Sequence, residues 1–295
     1  MIKKLIGKLT ACALVCSISV VSIETSYAEE NLIDLKYEKF TLDNGLRVIV
    51  SPNHSSPTVF VGVWYGVGSK DEPIGKSGFA HLYEHLMFKG TKNNPQGHMA
   101  PFTAAGATGL NGTTNQDRTN YYATVPTGAL DMALWMESDR MTYMLSSITQ
   151  KVLDDEREVV KNEKRQRENN AYGGMFGRRL ANLFPIGHPY HSTIIGSMED
   201  LGNASLDDVH GWFKKYYGAS NAVLVLAGDI DLETAKEKAT KYFAEAPSGE
   251  PLGTMKEWVP DLAHNRIDTI QDRVSQTRIS RSWAVPGLNN KDSSL

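Results

Sequence analysis

Between Ser77 and Thr91 the chain reads SGFAHLYEHLMFKGT, and this stretch constrains the fold more tightly than any other. Phe79, Leu82 and Leu86 recur at helical spacing, Ser77 stands where an N-cap belongs and Gly90 where a helix stops, so the pattern predicts a helix. Residues four apart on a helix lie one turn above each other, which puts the His81 and His85 rings on one face. Glu84, three residues beyond His81, projects close to the same face. A fold built around this helix must bury its apolar side and still leave two imidazoles and a carboxylate facing one space.

Catalytic zinc takes three protein ligands, commonly imidazole and carboxylate, and keeps a position open for water. His81 and His85 can supply two of them, and Glu84 is placed to take a proton from the water. The order H-x-x-E-H inverts the more common H-E-x-x-H. A second reading of the same residues is two core histidines beside a glutamate that serves no metal. The third ligand has to come from another element. The stretch TQKVLDDEREVVKNEKRQRE, residues 149–168, predicts a charged helix carrying Glu156, Glu158 and Glu163. Glu156 and Glu163 are seven apart and share a face. Such a helix is either solvated all round or, because Val159 and Val160 lie between the two glutamates, buried on one side. A buried Glu163 needs a partner, and a metal would serve.

Elsewhere the pattern mixes strands and helices. Extended runs over residues 38–51 flank Asp43-Asn44-Gly45, a strong hairpin signal. A β-rich run covers 58–69, a glycine-rich approach leads into a Thr/Tyr-rich strand over 104–126, and helical spacing follows over 127–145. VHGWFKKYYG predicts a helix, NAVLVLAGDI (221–230) a buried strand, and DLETAKEKATKYFAEA an amphipathic helix. The expected class is α+β, a mixed or antiparallel sheet with packed helices. Residues 247–265 are rich in Pro and Gly and read as a linker, and strand-like sequence resumes at 266.

An apolar share of 41% over 295 residues is enough for a substantial core. The 31 basic residues are balanced by 34 acidic ones, with no long basic block, which argues against a nucleic-acid partner. Residues 1–28 read as a bacterial signal peptide: Lys3, Lys4 and Lys8, then an apolar run, then Ser26-Tyr27-Ala28 as a small-x-small cleavage site. The run is too short to span a membrane comfortably. Leu9-Thr10-Ala11-Cys12 fits a lipoprotein box in form, but Lys8 precedes it and the apolar run follows it. Cleavage after Ala28 removes a net charge of +2 and both cysteines, Cys12 and Cys16, leaving −5 and no disulfide. No later segment reads as a membrane span, so a periplasmic or secreted protein is expected.

Six segments, in order, resemble the insulinase/pitrilysin-like zinc peptidases, the group that includes the mitochondrial processing peptidase. They are GVGSKDEP, GFAHLYEHLMFKGT, LNGTTNQDRTNYY, EREVVKNEKRQ, HPYHSTIIGSMEDL and NAVLVLAGDID, and the resemblance covers nearly everything from about residue 38 to 250. The resemblance implies that His81, His85 and Glu163 are zinc ligands, that Glu84 is the general base, and that Glu156 supports the site by orienting a histidine. It implies one zinc per chain, although manganese or cobalt also suits such a donor set. Asn111-Gly112-Thr113-Thr114 matches an edge strand to which a peptide substrate adds as a further strand, with Gly112 where alanine is usual. Thr113, Thr114 and Thr119 also suit a strand on β propensity alone. Family members pair homologous α+β domains that close like a clam shell over an unfolded peptide. Here the expectation is a catalytic domain over 36–246 and a truncated second domain from 266 to 295, working with further domains or a second homologous subunit. A non-catalytic partner subunit and a plain metal-binding protein are the alternatives.

Overall fold

The computed structural model describes residues 35–250, 252–287 and 290. The segment read as a signal peptide, with both cysteines, lies outside the described residues, as does the closing KDSSL.

The hairpin forms where its turn residues predict. Strands β1 (Glu38–Thr41) and β2 (Arg47–Pro52) pair antiparallel around Gly45, whose φ of +89° is a conformation that glycine adopts without strain. Asn44 holds this turn down by donating its side-chain amide to the Phe243 and Ala246 carbonyls at 2.7 and 3.0 Å. Strands β3 (Thr58–Tyr65), β4 (Thr108–Thr114), β5 (Thr119–Pro126) and β6 (Ala222–Gly228) complete a sheet in the order β1-β2-β6-β3-β5-β4 among the described residues. β2 and β6 run parallel, with Val48 opposite Leu224 and Val50 opposite Leu226, and the other neighbours are antiparallel. β3 stops at Tyr65, short of the predicted Ser69, where the strands on either side of it begin, at Thr119 and Ala222.

One face of the sheet is fully buried through Val48, Val50, Val61, Val63, Leu224 and Leu226, while Ile49, Tyr122 and Val225 on the other are half-buried. Helices α3 (Leu130–Tyr143) and α8 (Leu232–Phe243) cover the buried face. This is the mixed α+β arrangement that the sequence pattern predicts. Helix α1 (Phe79–Leu86) packs between β4 and helix α4 (Gln150–Asn169). Thr149 caps α4, its hydroxyl accepting from the Val152 N–H at 3.3 Å. Short helices α2 (Met99–Ala104), α5 (Met175–Leu183) and α6 (Met198–Gly202) were not expected, whereas α7 (Leu206–Tyr216) was, and it starts in a Ser205/Asp208 capping box.

Two local expectations need correction. Ser77 does not cap α1: the N-cap is Gly78, in a left-handed conformation with φ +89°, and the Ser77 hydroxyl donates to Asp200 instead. Residues 252–287 form no strand. A strand needs a neighbour for its backbone N–H and C=O groups, and this segment pairs with neither edge of the sheet. No helix among the described residues is long and apolar enough to cross a membrane.

Candidate metal centre

The helical spacing that set His81 above His85 holds in three dimensions, with the ring centres 4.9 Å apart and the rings nearly perpendicular. α4 crosses in front of them and presents a face formed by Leu153, Glu156, Val160 and Glu163. Only one of the two valines expected on that face is there: Val160 is fully buried, whereas Val159 is exposed. At 100° per residue Leu153, Glu156, Val160 and Glu163 cluster around one direction, and residue 159 falls at the edge of that face. Glu163 therefore faces the histidines while remaining partly open to solvent.

The Glu163 Oε2 atom lies 3.4 Å from His85 Nε2 and 3.7 Å from His81 Nε2. A ligand atom from each of the three residues falls within 4.8 Å of the other two. Zinc bonds of about 2.0–2.1 Å in a tetrahedral arrangement set ligand atoms roughly 3.3 Å apart. The observed separations are longer than good hydrogen bonds and suit three donors around one ion, so the residues present fit a zinc site. His81 is almost fully buried, and burial, reinforced by the His85 and Arg167 charges, lowers its pKa to about 3. A neutral imidazole is the form that binds a metal.

His85 is more open. Burial works against its charge, but the carboxylates of Glu156, Glu163 and Glu84 outweigh that and raise its pKa. Its Nδ1 is 3.6 Å from Glu156 Oε2, and the other Glu156 oxygen pairs with Lys89 at 2.5 Å. Burial pushes the Glu156 carboxyl up, yet His85 and Lys89 together hold it below the usual glutamate value. Lys89 sits four residues past His85, and Arg167, which pairs with Glu163, sits four past that glutamate. Neither was picked out from the sequence; the i, i+4 spacing marks Arg167, whereas Lys89 meets Glu156 through tertiary packing.

Glu84 points toward β4, where the Thr114 hydroxyl donates to its Oε2 at 2.6 Å. Burial raises the Glu84 pKa, and the Thr114 bond opposes the rise. A carboxylate whose proton affinity is raised is a better proton acceptor near neutral pH. Thr119, opposite Thr114, donates to the Val67 carbonyl at 2.9 Å, leaving Glu84 as the anionic acceptor for the Thr114 proton.

The remaining predicted residues lie on β4, an outer strand of the sheet. Asn111 is exposed and Gly112 buried, while Thr113 donates to Asn120 Oδ1 at 2.6 Å. Glycine at 112 has a local cause. A Cβ there would lie 2.8 Å from the Phe88 ring and 3.0 Å from Tyr121, so ring atoms, and not a neighbouring backbone, exclude it.

Residues 47–194 match the family model described as insulinase (peptidase family M16), and residues 203–295 match the one described as the peptidase M16 inactive domain. The chain is 31% identical over 296 aligned positions to the zinc protease PqqE of Helicobacter pylori, an alignment that takes in 99% of this chain and 64% of that protein. It is 34% identical over 221 positions to the probable mitochondrial-processing peptidase subunit beta of Schizosaccharomyces pombe, covering 74% of this chain and 47% of that one. Among solved structures, a protease from Helicobacter pylori matches with a TM-score of 0.69 at 31% identity, over 77% of this chain and 53% of the other. The chain thus spans 47% to 64% of the length of these two curated relatives. A family match that runs unbroken through α1, β4 and α4 makes the conclusion plain: the chain belongs to peptidase family M16, the insulinase family.

Proposed function

We propose that this chain carries the catalytic domain of a zinc-dependent endopeptidase that hydrolyses peptide bonds in extended or unfolded peptides. The observation that supports this most is the meeting of His81, His85 and Glu163 beside Glu84, which is linked through one hydroxyl to an edge strand. His81, His85 and Glu163 would hold the ion. Zinc bound there would supply Lewis acidity to a water molecule and to the substrate carbonyl. Glu84 takes the proton from the attacking water and returns it to the leaving amine nitrogen. Glu156, held by Lys89, orients His85. Asn111, Gly112, Thr113 and Thr114 offer their main chain to a peptide that adds beside β4, a mode of binding that tolerates many side chains.

In this reading residues 36–246 form the catalytic domain and 247–265 a linker, and 266–295 open a second homologous domain. Residues 1–28 direct export to the periplasm or the medium. A second reading is a non-catalytic subunit that assists an active partner. The match of 203–295 to an inactive-domain model favours it. The test is cleavage of an unstructured fluorogenic peptide before and after chelation. Cleavage that stops with chelator and returns with added zinc is the expected outcome. Cleavage that survives full metal removal contradicts the proposal, and a zinc-loaded chain that cleaves nothing favours the second reading.

A further inference from the structure

The N-terminus of α1 has no cap of its own. Gly78 has no side chain to offer, and a Cβ there would lie 2.6 Å from the Ile195 carbonyl oxygen. The adjacent Ser77 is taken: its N–H and hydroxyl both donate to Asp200 Oδ2, at 3.0 and 2.5 Å, and its hydroxyl accepts from the Ser197 N–H. The first N–H groups of the helix are satisfied from outside by Glu72. Its Oε2 accepts from the Gly78 N–H at 3.1 Å and its Oε1 from the Ala80 N–H at 2.8 Å. Ala80 immediately precedes His81.

The segment that carries Glu72 is itself anchored to the hairpin that contains the edge strand. Ser69 and Lys70 donate their N–H groups to the Asn115 and Gln116 carbonyls, at 3.1 and 2.9 Å, in the turn between β4 and β5. A Cβ on Gly68 would collide with those same two carbonyls. Residues 68–72 therefore form a strut with one end on the β4–β5 turn and the other on the first turn of the metal-binding helix. α1 has only eight residues, so fixing its first turn sets the rotation of the whole helix and the direction of both histidine rings.

We propose that Glu72 is a positioning residue of the metal centre, aiming His81 and His85 at Glu163 by gripping the first turn of α1. This rests on the metal-site reading above. A glutamine at 72 keeps the size of the side chain, but its NH2 cannot accept, so one of the two helix N–H groups loses its partner.

The test is zinc affinity, measured on the full chain by competition with a chromophoric chelator. It compares the parent, Glu72→Gln, His81→Ala, and Asp131→Asn as a control on the remote α3–α8 side, each shown to be folded by circular dichroism. Glu72→Gln is expected to bind zinc about 10- to 100-fold more weakly than parent and control. Its cobalt-loaded form should also show a changed visible spectrum, which a loss of stability alone would not produce. Parental affinity and spectrum in Glu72→Gln, with binding lost in His81→Ala, would overturn the role of Glu72 and leave the metal site standing. Equal binding by parent and His81→Ala would overturn the site and this role with it. If Glu72→Gln does not fold, Glu72→Asp, which keeps the carboxyl but falls short of the helix, is judged by the same criteria.

Discussion

Glu84→Gln is expected to keep the parental zinc content while peptide cleavage falls by about 10²- to 10⁴-fold. Glu84 is not among the three donors that meet, so its replacement leaves the ion's ligands untouched. The amide is close in shape to the carboxylate, and its oxygen can still accept from the Thr114 hydroxyl. What the amide cannot do is take a proton from water at neutral pH. Burial raises the proton affinity of the native carboxyl, which suits the proposed role as base that the variant removes. Measuring metal content and turnover on the same preparation separates the two effects. Cleavage at the parental rate would assign the base elsewhere.

The second large effect concerns stability, and lies at the other end of α1. Glu137 and Arg140 are 3% and 1% exposed, and pair inside α3. His98 Nε2 faces the other Glu137 oxygen at 3.1 Å. The Arg140 guanidinium lies 4.1 Å from the centre of the Tyr121 ring and donates to the Met87 carbonyl, at the C-cap of α1, at 3.5 Å. Burial pushes the Glu137 carboxyl up, but the Arg140 charge and His98 hold it below its ordinary value, so it is an ion. Arg140→Ala leaves that ion buried and unpaired, and is expected to cost about 3–5 kcal/mol of folding stability. The double change Glu137→Leu/Arg140→Leu should cost less than Arg140→Ala, because it removes both charges together. Urea unfolding checks both. A loss below about 1 kcal/mol for Arg140→Ala would show that the pair is not needed to compensate the buried charge.

Helix α1 is thus held by the Glu72 carboxyl at its N-terminus and by the Arg140 guanidinium at its C-terminus. Neither contact was legible in the sequence. Ser77 looked like the natural cap because N-cap patterns are local, whereas Glu72 reaches the helix from a separate turn. Glu137, Ser138, Asp139 and Arg140 are four polar residues in a row, yet all four are buried. Pairing between charges is set by tertiary packing, which a one-dimensional pattern does not carry. The legible part was the periodic part: His81 over His85, Glu156 in line with Glu163, the Asp43–Gly45 hairpin and the strand at β6. Placing Glu163 as the third ligand took the family resemblance as well as the repeat. The strand expected from residue 266 failed for the complementary reason, since β propensity without a pairing partner makes no strand.

The central claim is that His81, His85 and Glu163 bind one metal ion together, and elemental analysis of the purified chain beside Glu163→Gln tests it most directly. The account predicts about one zinc per parental chain and far less in the variant, in line with a site that needs three protein ligands. A folded parental chain that holds no zinc, or a Glu163→Gln variant that holds as much as the parent, would contradict it.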